Sequence, residues 1–287
     1  MCTAEFLALP EAVSLVRSGD TVAIGESLEM SPMASIRELI RSGVRDLHLV
    51  CSGSAAIGAD LLIGAGCVRS IELSHMMLGE FGFAPHFRRS AEKGEVRVLE
   101  HTCPAMASAL QAGAMGIPFI PVHGLLGTDL LTVREDFRLI DHPYRPNDRI
   151  AVVPAIRPDV CLLHGYQADR DGNVVVSRLQ NARVLAQASR RCVVTVEEIV
   201  ESGQLDLRRG TWLSARYISA IAEVPYGAHP TGCPGYYEED REHIGRYVKS
   251  AVQPKDFTEY LDNYIFACAG HAEYAAVHAK KDGGYAV

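Results

Sequence analysis

The residues able to do chemistry stand at the ends of short apolar runs. Gly25-Glu26-Ser27 follows Thr21-Val22-Ala23-Ile24, and Ser52-Gly53-Ser54 follows Leu47-His48-Leu49-Val50 closely. Glu100 and His101 close Val96-Arg97-Val98-Leu99, and His123-Gly124 precedes Gly127-Thr128-Asp129. Each apolar run reads as a buried strand. Open parallel sheets bind ligands beyond the carboxyl ends of their strands, so the turn at Gly25 is the first candidate site. Ser52 and Ser54 face the same crevice, where they either line a pocket or only turn the chain. Other nucleotide and hydrolase motifs fail. Gly64-Ala65-Gly66 meets Arg69 where a dinucleotide fingerprint needs glycine. There is no Gly-x-Ser-x-Gly elbow and no Walker lysine.

The elements that must position these residues alternate between strand and helix. Ser31-Pro32 is expected to cap a helix and fill its first turn. Met33, Ile36, Leu39 and Ile40 share one face of that helix, and Gly43 ends it. Ser70–Leu73, Ile150–Val153, Val160–Leu163 and Cys192–Val196 read as further strands, and Ala105–Met115 and Ala182–Arg190 as helices. The strands are apolar throughout, not at every second residue. That pattern predicts an α/β fold: an open, mostly parallel sheet with helices on both faces. Tyr226 to Tyr237, rich in Gly, Pro and Tyr, reads as a long surface loop. Phe257, Tyr260, Leu261 and Tyr264 mark an amphipathic helical tail. The expected organisation is one domain over 1–287, with a C-terminal helical extension from about 240.

Composition narrows the function. The chain has 287 residues, 48% hydrophobic and 22% charged, enough to bury a real core. Its formal charge of -7 argues against a general nucleic-acid binder, which would show a basic stripe. No basic segment leads into an apolar run at the start, and no charge-free apolar stretch is long enough to span a membrane. The eight cysteines form no Cys-x-x-Cys pair. They are expected to be reduced thiols in a cytoplasmic protein, with no metal site.

Between Glu95 and Glu198 a series of individually weak pieces falls in a telling order. These are Ala112–Phe119, Gly127–Leu130, Val153–Val160, Ala168–Asn173 and Val194–Glu198. In this order and spacing the chain resembles the A (alpha) subunit of family I coenzyme A transferases, the glutaconate CoA-transferase group. The likeness extends to Tyr226–Pro230, Tyr264 and His271. It implies the fold of that superfamily, an acyl-CoA thioester and a carboxylate as substrates, and no permanently bound cofactor. It also implies a B (beta) subunit that carries the nucleophilic glutamate.

Residue by residue, the resemblance makes Gly25, Glu26 and Ser27 the oxyanion and acyl-CoA-binding turn. Fixed amides there would meet the negative charge of a tetrahedral intermediate. Glu26 departs from the family, which commonly has a second glycine at that position. Glu100 aligns with an acidic position thought to be catalytic in related ring-cleaving thioester hydrolases; the plain alternative is a glutamate solvated at a strand end. His123-Gly124 stands where relatives commonly carry Arg-Ser, so a bidentate grip on a substrate carboxylate is lost. His123, Gly127 and Thr128, with Ser52 and Ser54, form the expected substrate pocket. His164 and the Asp169–Asn173 turn match well and read as architectural. Arg88 and Arg89 are candidates for the CoA phosphates, with a solvated charge pair as the simpler reading. The alternative function is a diverged hydrolase, ring-opening enzyme or decarboxylase of the same fold. A non-catalytic ligand sensor is the remaining class, and no output module supports it.

Overall fold

A computed structural model describes residues 4–25, 27 and 29–278. Strands β1 (Glu5–Phe6), β2 (Thr21–Ile24), β3 (Leu47–Cys51), β4 (Val68–Leu73) and β5 (Arg97–Glu100) alternate with helices. These helices are α1 (Leu9–Val13), α2 (Met33–Ser42), α3 (Ile57–Gly64) and α4 (Pro85–Glu92). After α5 (Cys103–Met115) come β6 (Phe119–Val122), α6 (Leu130–Val133), β7 (Arg138–Asp141) and β8 (Arg149–Pro154). The chain then returns to the main sheet. It does so through β9 (Val160–Asp169), β10 (Val174–Val176), α7 (Ala182–Ala188), β11 (Arg191–Val200), β12 (Thr211–Leu213) and β13 (Ala220–Glu223). Helices α8 (Arg241–Ser250), α9 (Pro254–Leu261) and α10 (His271–His278) close the described chain.

The principal sheet runs β1-β13-β11-β9-β2-β3-β4-β5, every neighbouring pair parallel. The expected fold class is therefore present. All of β9 is buried, as continuous apolar runs require when helices cover both faces. One core gathers Ile24, Ile36, Leu39, Leu49 and Leu61 with Tyr247 and Phe257 from the C-terminal helices. The other gathers Val153, Cys161, Leu163 and Val194 with α5 and α7. Each aliphatic side chain so buried contributes about 1.5–3 kcal/mol.

Three expectations are corrected. Ser31 does not cap α2. Its hydroxyl donates to the Ser27 carbonyl, and Pro32 occupies the cap position. Ile150–Val153 lies in β8, which joins a separate antiparallel sheet ordered β6-β8-β7. A buried apolar strand does not by itself reveal its pairing partner. Tyr226 to Tyr237 is no surface loop: Tyr226, Ala228, His229, Thr231 and Cys233 are buried. Its polar groups are satisfied inward, Thr231 through the Ala228 carbonyl and Tyr237 through Glu197. Gly43 does end α2, in the left-handed conformation that glycine adopts without strain.

Candidate active site

Parallel pairing brings the carboxyl ends of β2, β3, β4 and β5 to one edge of the sheet, and with them the Gly25, Ser52, Ser74 and Glu100 positions. Gly25 is tightly enclosed. A β-carbon there would stand 2.4 Å from Leu163 Cδ2, so only glycine lets the turn leave the sheet beside β9. Its N–H donates to the Leu162 carbonyl at 3.0 Å. Gly25 therefore shapes the turn, and its own N–H is paired within the sheet. Glu26 lies outside the described residues. The Ser27 hydroxyl is occupied within the turn, donating to the Glu29 carbonyl and accepting from the Glu29 N–H.

Gln180 and Asn181, which no motif marked, hold this turn and the next one. Gln180 Nε2 donates to the carbonyls of Glu29 at 3.0 Å and Met30 at 2.7 Å. That fixes Gln180 Oε1 toward Gly25, 3.6 Å from where a β-carbon would be. This oxygen is buried with no hydrogen-bond partner among the described residues. Asn181, left-handed at φ 51°, donates its amide to the Ser52 hydroxyl at 3.1 Å. Ser54 bonds His75 Nδ1 at 3.2 Å, and Ser74 donates to the Gly53 carbonyl. Ser52 is thus a buried anchor, and Ser54 is half-buried at the mouth.

Glu100 is exposed on the edge strand. With Arg97, Arg134, Asp136 and Arg138 it lines a cleft of about 520 Å³. Its backbone carbonyl accepts from Arg134 Nη1 at 2.9 Å. Behind it, Glu72 accepts from His101 at 2.5 Å and from Arg134 at 2.9 Å. Burial pushes the Glu72 carboxyl up, but hydrogen bonds from His101 and His48 and the charge of Arg134 hold it well below the usual range. Glu72 is saturated and braces the rim. Gly25 and Glu100 stand three strands apart, roughly 14 Å at about 4.8 Å per strand. A group stabilising an oxyanion must lie about 3 Å from it. The two positions therefore stand well apart along the edge of the sheet.

The remaining candidates fall elsewhere. His123 is exposed in a single 3-10 turn after β6, in the smaller sheet. Gly127 is left-handed at φ 80°, and Thr128 gives both its N–H and its hydroxyl to the Leu125 carbonyl. Thr128 is a turn residue, and its polar atoms are not held out toward a ligand. Arg88 pairs with Glu92 one helical turn on, and Arg89 donates to the Ala251 carbonyl.

A coenzyme A transferase family model matches residues 6–212. The chain belongs to the coenzyme A transferase family. It is 36% identical over 281 residues to the A subunit of 3-oxoadipate CoA-transferase from Pseudomonas knackmussii, covering 95% of this chain and 98% of that one. The crystal structure of glutaconate CoA-transferase from Acidaminococcus fermentans superposes with a TM-score of 0.90 at 27% identity, covering 97% and 94% of the two chains. The decarboxylase AibA/AibB superposes at 0.82 with 33% identity, covering 92% and 98%. The resemblance carried by the sequence motifs is borne out.

In this coenzyme A transferase chain the best-matching motif residues are the architecture of the long strands. Asp169 accepts from the N–H groups of Asp171 and Asn173, closing the β9–β10 turn. His164 bonds Thr195 at 2.8 Å and Glu197 at 2.7 Å. Glu197 also accepts from the Tyr226 and Gly227 amides and the Tyr237 hydroxyl. Burial pushes the Glu197 carboxyl up, and its donors, led by His164, bring it below its ordinary value. The sequence carries no local signal for Gln180 or Asn181, which are set by a left-handed turn before α7. Among the described residues no helix is long and apolar enough to cross a membrane. The seven described cysteines are free thiols, six buried and Cys103 exposed.

Proposed function

We propose that this chain is the A subunit of a heteromeric acyl-CoA:carboxylate CoA-transferase. The observation that carries the reading is its similarity, over nearly the full length of both chains, to the A subunit of 3-oxoadipate CoA-transferase. The nucleophile is a glutamate of the B subunit. Its carboxylate attacks the thioester carbonyl, giving a mixed anhydride and CoA thiolate. The thiolate then attacks the glutamyl carbonyl of the anhydride, forming a glutamyl-CoA thioester and releasing the first carboxylate. A second carboxylate reverses these steps and leaves as its CoA thioester. The covalent carboxylate divides one difficult exchange into easier ones.

This chain's part is the wall of the crevice. The engagement of Glu72 and Glu197 supports it, since both carboxylates are buried and held by donors inside the fold. The Gly25 turn, held by Gln180 and Leu162, shapes the acyl site, and amides beyond Gly25 meet the developing oxyanion. Ser54 and His75 border the acyl group. No metal or redox group enters the chemistry. Phe119 and Ile140, on one face of the smaller sheet, are exposed, and this apolar face is where the B subunit docks. Free thiols fit a cytoplasmic location.

The test is complementation. The chain alone is expected to be inert and to gain transferase activity with its B subunit. Robust activity from the isolated chain would sink the reading. A second reading, a decarboxylase of the same fold, is favoured by the 33% identity to AibA/AibB. It requires release of CO₂ from an acyl-CoA without any acceptor carboxylate.

A further inference from the structure

Behind the Gly25 turn, whose Met30 and Ser31 N–H groups donate to the Gly232 carbonyl and the Thr231 hydroxyl, three histidines from three elements converge. His229 lies in the loop after β13, His243 on α8 and His278 at the end of α10. Their ring centres are 5.2, 5.3 and 5.5 Å apart, close to an equilateral triangle. One nitrogen of each lies within 4.8 Å of those of the other two. All three are buried, at 0%, 1% and 6% exposure. Imidazoles bound to one zinc at about 2.0–2.1 Å place their ring centres roughly 5 Å apart. Small rotations of these rings would close the nitrogens onto a single ion.

The surroundings of the triad favour a ligand. His243 Nε2 bonds the Tyr260 hydroxyl at 2.8 Å. Its Nδ1 is buried with no hydrogen-bond partner among the described residues. An orphaned ring nitrogen in a dry interior is costly unless something fills its lone pair. His229 Nε2 faces Asp240 Oδ2 at 3.1 Å, a carboxylate–imidazole contact of the kind that orients metal-bound histidine. Nδ1 of His229 bonds the Tyr274 hydroxyl at 2.7 Å. Asp240 supplies the local negative charge. Arg37 stacks on the Tyr274 ring and donates to the His229 carbonyl, and Arg246 pairs with Glu242. The second cluster, His164, Glu197 and Cys233, differs: His164 and Glu197 are saturated by partners inside the fold.

We propose that His229, His243 and His278 hold a first-row divalent cation, Zn²⁺ by its ligand chemistry, at a structural site pinning α10 to α8 and the loop after β13. An all-imidazole donor set suits Zn²⁺ and its neighbours, whereas Ca²⁺ and Mg²⁺ need oxygen ligands. Sequence spacing could not disclose the site, because positions 229, 243 and 278 form no short metal motif, and the sequence reading expected no metal.

The test uses the full chain, with its partner chain where the two co-purify. After dialysis against a chelator, Co²⁺ is titrated and its visible ligand-field absorption followed. One equivalent is expected to saturate the signal, and Zn²⁺ to abolish it. His278→Ala should weaken Co²⁺ by more than the roughly 10–100-fold typical of losing a supporting partner, and His278→Asp should restore part of it. No ligand-field signal from the natively folded wild-type chain would overturn the proposal. A signal unchanged by both His278→Ala and His243→Gln would overturn it as well. Should the variants fail to fold, the wild-type titration decides alone.

Discussion

At the scale of single residues, packing and hydrogen bonding separate what shapes the crevice from what could react in it. Gly25 is fixed by volume: the nearest atom to an added β-carbon is a Leu163 methyl at 2.4 Å. Gly25→Ala is expected to cost about 1–3 kcal/mol, as overpacking does, and to lower kcat by displacing the turn. Thermal unfolding and steady-state kinetics on the two-subunit enzyme would check both. Glu100 stands roughly 14 Å along the sheet from that turn. Glu100→Gln is therefore expected to leave transferase kcat within about tenfold of wild type, whereas a general acid–base role would cost roughly 10²–10⁴-fold. Glu72 is different, because it accepts from Arg134 and His101 inside the fold. Glu72→Gln removes a charged acceptor from this buried network, where Arg134 keeps Asp136, at about 1–3 kcal/mol, measurable by denaturant unfolding.

Buried histidines make stability depend on pH in a defined direction. Burial, helped by the charge of Arg89, lowers His86 to about 4. Burial, helped by Arg37, lowers His271 to about 3. An unfolded histidine titrates near 6.5, so below that pH the unfolded chain binds protons that the folded chain refuses. The stability from these groups is complete above about 6.5 and is lost as pH falls toward 4. Tm is expected to fall steadily from pH 7 to pH 5. A Tm that is flat or rising over that interval would contradict the assignment of both rings as buried and neutral.

At the scale of elements, continuous apolar runs named most of the parallel strands. Thr21–Ile24 and Leu47–Val50 are β2 and most of β3, and Met33, Ile36, Leu39 and Ile40 do line the buried side of α2. The pattern failed where partners are distant in sequence. Ile150–Val153 looks like any buried strand, yet it pairs antiparallel with Phe119–Val122 and Arg138–Asp141. The stretch from Tyr226 to Tyr237 has the composition of a loop, but tertiary hydrogen bonds to Glu197 draw it inside. The Gly25 turn was legible because a glycine after an apolar run signals a strand end. Gln180 and Asn181 were not, since their contacts to Glu29, Met30 and Ser52 span about 130 residues or more. Helix α5 gives an element-level prediction. A β-carbon on Gly113 would meet the Ile156 carbonyl oxygen at 2.0 Å, and that backbone cannot swing away as a side chain would. Gly113→Ala should separate α5 from the segment after β8, destabilising by about 3 kcal/mol, the upper end of overpacking.

At the scale of the whole molecule, the chain is a rigid wall with its buried carboxylates already committed. Two cores pack on opposite faces of the parallel sheet, and the strand ends gather the polar turns along one edge. Such a wall can shape a pocket, and the proposed function assigns the nucleophile to the partner subunit. In the proposed function, chemistry begins only when a second subunit brings a glutamate to this edge. The most direct measurement incubates the chain and its B subunit with a panel of acyl-CoAs, with and without acetate or succinate, and follows every CoA species by mass spectrometry. The account predicts new acyl-CoAs that appear only when both chains and the added carboxylate are present. Free CoA or a decarboxylated acyl-CoA, formed at the same rate without the carboxylate, would contradict it.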